Sequence, residues 1–127
     1  MGRGLKPGAP RITIRLDLAE SKDEPRLGRV GPGKVALLEQ VAQTGSISAA
    51  ARAQGMSYRR AWRMIDEMNR LFKEPLVEAE AGGAKGGNAR VTSMGNALLA
   101  AYRRIEKEAQ QLGEAQLSSL LRALQRG

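Results

Sequence analysis

A glycine-rich loop with one lysine, "AGGAKGGNAR" at residues 81–90, is the first stretch whose composition suggests binding chemistry. Glycine allows a close backbone approach to a phosphate, and Lys85 adds positive charge. A phosphate-binding loop, a linker and a finger laid along a polyanion all suit this composition. A Walker-type phosphate loop needs Gly-Lys followed by Ser or Thr, whereas Gly86 follows Lys85 here. The first interpretation therefore fails.

The segments that flank this loop decide between the other two interpretations. "LVEAE" at 76–80 and "ARVTS" at 89–93 alternate in polarity, which favours two paired strands over a linker. The pattern predicts a hairpin wing that binds phosphates or a minor groove. Its candidate contacts are Lys85, Gly86, Asn88 and Arg90. An ordinary mobile hairpin tip is the alternative.

A second group of basic residues stands where a helix is expected to begin. Ser57 is a suitable helix cap, and Tyr58, Arg59, Arg60 and Arg63 follow it. The amino end of a helix carries partial positive charge and prefers acidic residues, so these arginines are unfavourable there unless an external anion binds. We predict that Ser57, Tyr58 and the arginines contact DNA. The alternative is a solvated basic face with Arg63 paired to Glu67.

Residues suited to catalysis are scarce. The chain has no cysteine and no histidine, which excludes thiol nucleophiles, histidine-dependent triads and thiol metal sites. Carboxylates are present at Asp66, Glu67, Glu78 and Glu80, without the partner groups that an active site needs. A small enzyme stays open as a weak alternative. We expect no enzyme activity, no metal site and no cofactor.

The overall charge points to the class of partner. The formal net charge is +8 over 127 residues, which favours a polyanion. The amino terminus lacks the apolar segment of a signal peptide, and no apolar run approaches the length of a bilayer span. We therefore expect a cytoplasmic, nucleic-acid-binding protein without a membrane partner.

The elements that must position these residues can be read along the chain. Residues 1–10 are expected to form a disordered basic tail, and residues 11–127 one domain. "RITIRLDL" at 11–18 predicts a half-buried strand, followed by a polar connector that ends at Gly33. Helices are predicted from about Gly33 to Gly45, from Ser46 or Ser48 to Gly55, and from Ser57 to Phe72. After the wing, a long helix is predicted from about Asn96, with a short continuation beyond Gly113.

This order of helices and hairpin is that of a winged helix-turn-helix. The predicted fold class is mostly α (α+β), with a two- or three-stranded sheet and a long carboxy-terminal dimerisation helix. In this arrangement Ala61 and Ile65 face the core. Trp62 is interpreted mainly as a packing residue.

An apolar stripe on the last long helix suggests a homodimer. Its residues recur at spacings of four and three: Leu98, Tyr102, Ile105, Ala109 and Leu112. Burial of the stripe within the chain's own domain is the alternative.

Two pieces carry a family resemblance: "GSIS.AA…GMSYRRAW..I.EMN" between Gly45 and Asn69, and "GGAKGGNARVT" from Gly82 to Thr92. The sequence resembles the amino-terminal DNA-binding domain of ModE-type molybdate-responsive regulators, which is related to the LysR-type helix-turn-helix. The resemblance implies a homodimer that binds palindromic operators. It places the reading helix at Ser57–Phe72 and the wing at Ala81–Arg90.

The resemblance does not extend to every property of that family. Full-length members carry carboxy-terminal molybdate-binding modules, whereas this sequence ends at Gly127, so molybdate is not expected to bind this chain alone. We expect a sequence-specific transcriptional regulator, with molybdate or metal-uptake genes among its possible targets. A nucleic-acid-binding protein of nucleoid type, without sequence preference, is the alternative.

Overall fold

The structure is a computed structural model that describes residues 11–18, 28–80 and 88–124. The described elements are β1 (Leu16–Leu18), β2 (Gly28–Val30), α1 (Pro32–Thr44), α2 (Ile47–Ala53), α3 (Tyr58–Asn69), β3 (Val77–Ala79), β4 (Ala89–Val91), α4 (Ser93–Leu112) and α5 (Glu114–Leu124). The strands form two separate antiparallel pairs, β1 with β2 and β3 with β4. The predicted mixture of helices with a small sheet is confirmed, with two small sheets in place of one. The predicted basic tail at 1–10 lies outside the described residues.

The first helix begins and ends where the sequence indicated, whereas α2 ends at Ala53, two residues before the predicted Gly55. Pro32 occupies the first turn of α1, where its missing N–H removes no intrahelical hydrogen bond. Gly45 ends α1 in the left-handed region at φ 71°, and its N–H donates to Val41 O at 2.8 Å. Ser46, not Ser48, caps α2 by accepting a hydrogen bond from Ala49 N at 3.1 Å.

The amino-terminal strand is shorter than predicted. The alternation over 11–18 holds, but only Leu16–Leu18 pairs, with a partner strand at Gly28–Val30 that had been interpreted as connector. The preceding residues contact α4 instead, since Ile12 N donates to Gln110 Oε1 at 2.8 Å and Tyr102 Oη donates to Ile14 O at 2.6 Å. Backbone groups satisfied by a helix are not available for a sheet ladder.

Helix α3 ends at Asn69, three residues before the predicted end at Phe72. The Asn69 side chain explains the earlier end. Its Oδ1 accepts from Leu76 N at 2.8 Å and Val77 N at 3.1 Å, and its Nδ2 donates to Val77 O at 3.1 Å. These three bonds hold the start of β3 against the end of α3.

Helix α4 begins at Ser93, earlier than the predicted Asn96, because Thr92 is its cap. Thr92 Oγ1 accepts from Gly95 N at 3.1 Å and donates to Pro75 O at 2.7 Å. Gly95 is required here, because an added Cβ would lie 2.5 Å from Leu76 O. The wing and α4 are thereby fixed to the segment that follows α3.

The core collects aliphatic side chains from α1, α2 and α3 with residues of the wing and α4. Its buried hydrophobic members include Val30, Val35, Leu37, Leu38, Val41, Ile47, Ala50, Ala51, Ala61, Ile65, Met68, Leu76, Val77, Ala89, Leu98 and Tyr102. Ala89 N also donates to Gly45 O at 2.9 Å, which joins β4 to the end of α1. The wing is therefore held at one end of the helical core.

Among the described helices, none combines the length and apolar character that a membrane span requires.

Candidate nucleic-acid interface

The turn between α2 and α3 is tight and well specified by sequence. Gly55 takes a positive φ of 66°, which only glycine adopts without strain, and Met56 N donates to Ala51 O at 3.0 Å. Ala50, Ala51 and Ala61 are buried where the two helices cross. Small side chains allow this close crossing, and the amino end of α3 projects away from the core as a result.

Ser57 caps α3, since its Oγ accepts a hydrogen bond from Arg60 N at 3.1 Å. The side chain is exposed, and it lies at the helix end where backbone N–H groups favour anions. The cap role predicted for Ser57 is confirmed. Its contact with DNA stays a prediction.

Three arginine side chains follow on the exposed side of α3. Arg59, Arg60 and Arg63 are all exposed, and no ion pair or side-chain hydrogen bond engages them within the described residues. Six other cations, by contrast, pair with carboxylates: Arg15, Lys34, Arg70, Arg90, Arg103 and Arg104. Three cations without an ion pair among the described residues thus lie within five positions at the amino end of α3.

The nearby carboxylates are directed elsewhere. Glu67 pairs with Lys34 at 3.2 Å and Asp66 with Arg70 at 2.9 Å, so the alternative pairing of Arg63 with Glu67 is not present. Within residues 11–18, 28–80 and 88–124, no carboxylate neutralises Arg59, Arg60 or Arg63.

Two aromatic side chains stand beside these arginines. Tyr58 is 47% exposed and Trp62 is 49% exposed, and both line a shallow surface groove with Arg59, Arg63 and Asp66. The interpretation of Trp62 as a packing residue is wrong. The helical spacing carried the signal, because Ala61, Ile65 and Met68 already complete the buried face and Trp62 lies off it.

The two strands of the wing pair as predicted. Val77 pairs with Val91 and Ala79 with Ala89, and Glu80 N donates to Asn88 O at 2.8 Å. Lys85 and Gly86 lie outside the described residues. Arg90 is exposed but pairs with Glu78 at 2.5 Å and Glu80 at 3.6 Å, so two carboxylates already compensate its charge.

The stripe on α4 divides into buried and exposed parts. Leu98 and Tyr102 belong to the chain's own core, and burial raises the pKa of the Tyr102 hydroxyl. This part of the predicted dimer interface is corrected, because side chains buried in the chain's own core have little or no surface to offer a partner. Ile105 and Leu112 are exposed, Leu112 at 83%, and Ala109 is half-buried.

Exposed apolar side chains are also present on α5. None of its residues is buried, and Leu120 and Leu124 are exposed. Arg103 fixes α4 relative to α1, because its guanidinium donates to both carboxylate oxygens of Glu39, at 2.8 and 2.7 Å. These bonds raise the pKa of Arg103, which stays positively charged.

Comparison with known proteins agrees with this geometry. The family model of the bacterial regulatory helix-turn-helix proteins, lysR family, matches residues 33–96, a segment that runs from α1 through α3 and the wing to the first turn of α4. This chain belongs to that family.

Curated relatives align over part of their length. The chain is 50% identical over 78 residues to the molybdenum-pterin-binding protein MopA of Rhodobacter capsulatus, covering 61% of this chain and 29% of the relative. It is 46% identical over 71 residues to the transcriptional regulator ModE of Yersinia pestis, covering 56% of this chain and 27% of the relative. The matched part is thus less than a third of these relatives' length.

Solved structures of the same fold include a DNA complex. The DNA-binding domain of CbnR bound to DNA matches with a TM-score of 0.55 and 22% identity, covering 68% of this chain and 94% of that one. Full-length CbnR with its target DNA gives a TM-score of 0.51 and 23% identity, covering 65% of this chain and 27% of that one. The winged helix-turn-helix architecture predicted from the sequence is confirmed.

Proposed function

We propose that this lysR-family helix-turn-helix chain is a sequence-specific transcriptional regulator that binds palindromic operator DNA as a homodimer. The proposal rests above all on one observation: the three exposed arginines at the amino end of α3 have no partner in the described part of the chain. Such a cluster stabilises a bound polyanion more than it stabilises the fold. The bacterial cytoplasm is where such a regulator meets its operators.

The position of these arginines favours base reading over general charge attraction. The amino-terminal residues of a recognition helix meet base edges in the major groove. Arg59, Arg60 and Arg63 stand within the first two turns of α3. Arginine donates two parallel hydrogen bonds to guanine, and each good pair of this kind discriminates by about 1–3 kcal/mol.

The wing supplies the second predicted contact. Asn88 is exposed at the edge of β4, and Arg90 projects from that strand. Because Glu78 and Glu80 compensate Arg90, we assign the larger share of phosphate attraction to α3 and to Lys85. Contacts at Lys85 and Gly86 stay predictions.

A second copy of the chain accounts for the exposed apolar residues of α4 and α5. Ile105, Leu112, Leu120 and Leu124 are exposed large hydrophobic side chains, and apolar surface of this kind is unfavourable in water. A homodimer that covers it would present two α3 helices to two half-sites of a palindrome.

The relatives favour one class of target gene. One of them is the molybdenum transport protein ModE of Azotobacter vinelandii, 44% identical over 77 residues, with 61% of this chain and 28% of that relative covered. We propose genes of molybdate or metal uptake as targets. Molybdate itself is not proposed to bind residues 1–127.

Selection from a random duplex library tests this function against the nucleoid-type alternative. A regulator enriches one inverted repeat, and random DNA in large excess competes poorly for it. Arg59→Ala or Arg60→Ala should then weaken the selected site by roughly 1–3 kcal/mol and relax base preference at one position. Absence of any enriched sequence, with equal competition by random DNA, would support the alternative.

A further inference from the structure

The distribution of aromatic residues in this chain is uneven. It has one tryptophan, two tyrosines and one phenylalanine. Tyr102 is in the core, and Phe72 packs against the core cluster. By contrast, Tyr58 and Trp62 each expose about half of their surface to solvent. Both exposed rings lie on α3, one helical turn apart. Exposed aromatic surface is costly in water, so this pair calls for a ligand-facing role.

The neighbours of the two rings identify the ligand. Arg59 and Arg63 line the same groove, so an anionic polymer that binds them is brought against the rings. Between the phosphate-lined edges of a DNA major groove, the apolar group on a base edge is the 5-methyl of thymine. A flat apolar side chain at a helix surface suits that methyl and makes no use of the hydrogen-bonding groups of guanine or cytosine.

We infer that Tyr58 and Trp62 form an apolar reading surface for thymine 5-methyl groups in the major groove. This inference rests on the proposed function, because it requires α3 to enter that groove. The rings contact one or two thymines in each half-site, while the adjacent arginines bind guanine or phosphate. Trp62 supplies most of the contact area, and the hydroxyl of Tyr58 is not needed for it.

Deoxyuridine substitution isolates the methyl group. Uracil keeps every hydrogen-bonding group of thymine and lacks only the 5-methyl. The operator selected by the full chain is synthesised with each thymine replaced in turn, and affinity is measured by fluorescence anisotropy of labelled DNA. Loss of one buried methyl should weaken binding by about fourfold at the contacted positions. Substitution at the other thymine positions should change the affinity by less than about twofold.

Variants tie the effect to the two rings. In the double variant Tyr58→Ala, Trp62→Ala the thymine and uracil operators should bind equally at the positions that wild type distinguishes. Trp62→Ala alone should remove most of that difference, a coupling that a double-mutant cycle measures. Tyr58→Phe keeps the ring and should keep the preference for thymine. Both side chains are half-exposed, so thermal melting should match wild type within a few degrees.

Each outcome decides the inference. Equal affinity for all thymine and uracil operators, with the selected site still bound tightly, overturns the inference and leaves the proposed function standing. A thymine preference that survives in the double variant Tyr58→Ala, Trp62→Ala assigns the methyl contact to other residues and also overturns it. Failure to select any site overturns the proposed function itself.

Discussion

Lys34 on α1 reaches across to Glu67 on α3, with 3.2 Å between Lys34 Nζ and Glu67 Oε1. Glu67 stands four residues after Arg63, where an i,i+4 ion pair would ordinarily form. The contact with Lys34 directs this carboxylate away from the amino end of α3. One interhelical pair thus holds α3 against α1 and leaves the arginine cluster uncompensated.

Glu67→Gln is expected to tighten DNA binding. The change removes a negative charge from the helix that is proposed to enter the groove, which should raise affinity about two- to fivefold at low salt. Stability should fall by only about 0.2–1 kcal/mol, because Glu67 is more than half exposed. Anisotropy titration and urea unfolding measure the two effects. Glu114→Gln on α5 is the control, and weaker binding by Glu67→Gln relative to it would contradict the expectation.

Asn69→Ala is expected to destabilise the protein strongly. It removes three hydrogen bonds to the backbone of Leu76 and Val77 and leaves two part-buried N–H groups without their acceptor. The cost should be about 2–3 kcal/mol in the free energy of unfolding by urea. Asn96→Ala, at an exposed position on α4, should change it by less than about 0.5 kcal/mol. Equal effects of the two variants would remove the role assigned to Asn69.

Gly95 and Gly33 form a matched pair for a steric test. An alanine Cβ at Gly95 would lie 2.5 Å from Leu76 O and 2.6 Å from Val91 Cγ1, whereas at Gly33 the nearest atom, Met64 Cε, is 3.9 Å away. Gly95→Ala should lower the free energy of unfolding by about 1–3 kcal/mol. Gly33→Ala, in the first turn of α1, should be neutral or stabilise by up to about 1 kcal/mol. Calorimetric melting compares them, and a stable Gly95→Ala would refute the close packing of α4 on the wing.

Leu112→Glu tests the proposed homodimer. Placing a carboxylate at an 83% exposed leucine should not disturb the monomer fold, but it would bury an unpaired charge in a dimer contact. Sedimentation at micromolar concentration should show a dimer for the wild type and a monomer for Leu112→Glu. Lys107→Gln, exposed on the same helix, lowers the net charge by the same amount and should remain a dimer. A wild-type monomer under these conditions would exclude the dimer.

Local sequence signals predicted the helical part of the fold well. Pro32, Gly45 and Ser57 mark helix ends through their own backbone and side-chain chemistry, so neighbouring residues suffice to read them. Strand β2 was missed, because three residues beginning with Gly28 show too little alternation to read as a strand. Its pairing is set by contact with β1.

The candidate site was predicted only where it depends on local charge. The arginines of α3 could be recognised from the sequence, because the amino end of a helix ordinarily prefers acidic residues. The compensation of Arg90 by Glu78 depends on strand register, and the burial of Tyr102 depends on where the segment before β1 approaches α4. The spacing of apolar residues along a helix does not reveal which distant segment covers them. For this reason Leu98 and Tyr102 were predicted to lie in an interface.

The salt dependence of DNA affinity tests the central claim most directly. The claim is that Arg59, Arg60 and Arg63 are neutralised by nucleic acid. For wild type, log affinity should fall linearly with log salt, and the triple variant Arg59→Gln, Arg60→Gln, Arg63→Gln should reduce the slope by about 0.9 for each arginine that contacts phosphate. A control with the same net charge, Arg11→Gln, Lys107→Gln, Arg122→Gln, removes exposed cations outside α3 and should keep the wild-type slope. The claim is contradicted if the triple α3 variant keeps the wild-type affinity and salt slope, while the control variant binds more weakly and with a smaller slope.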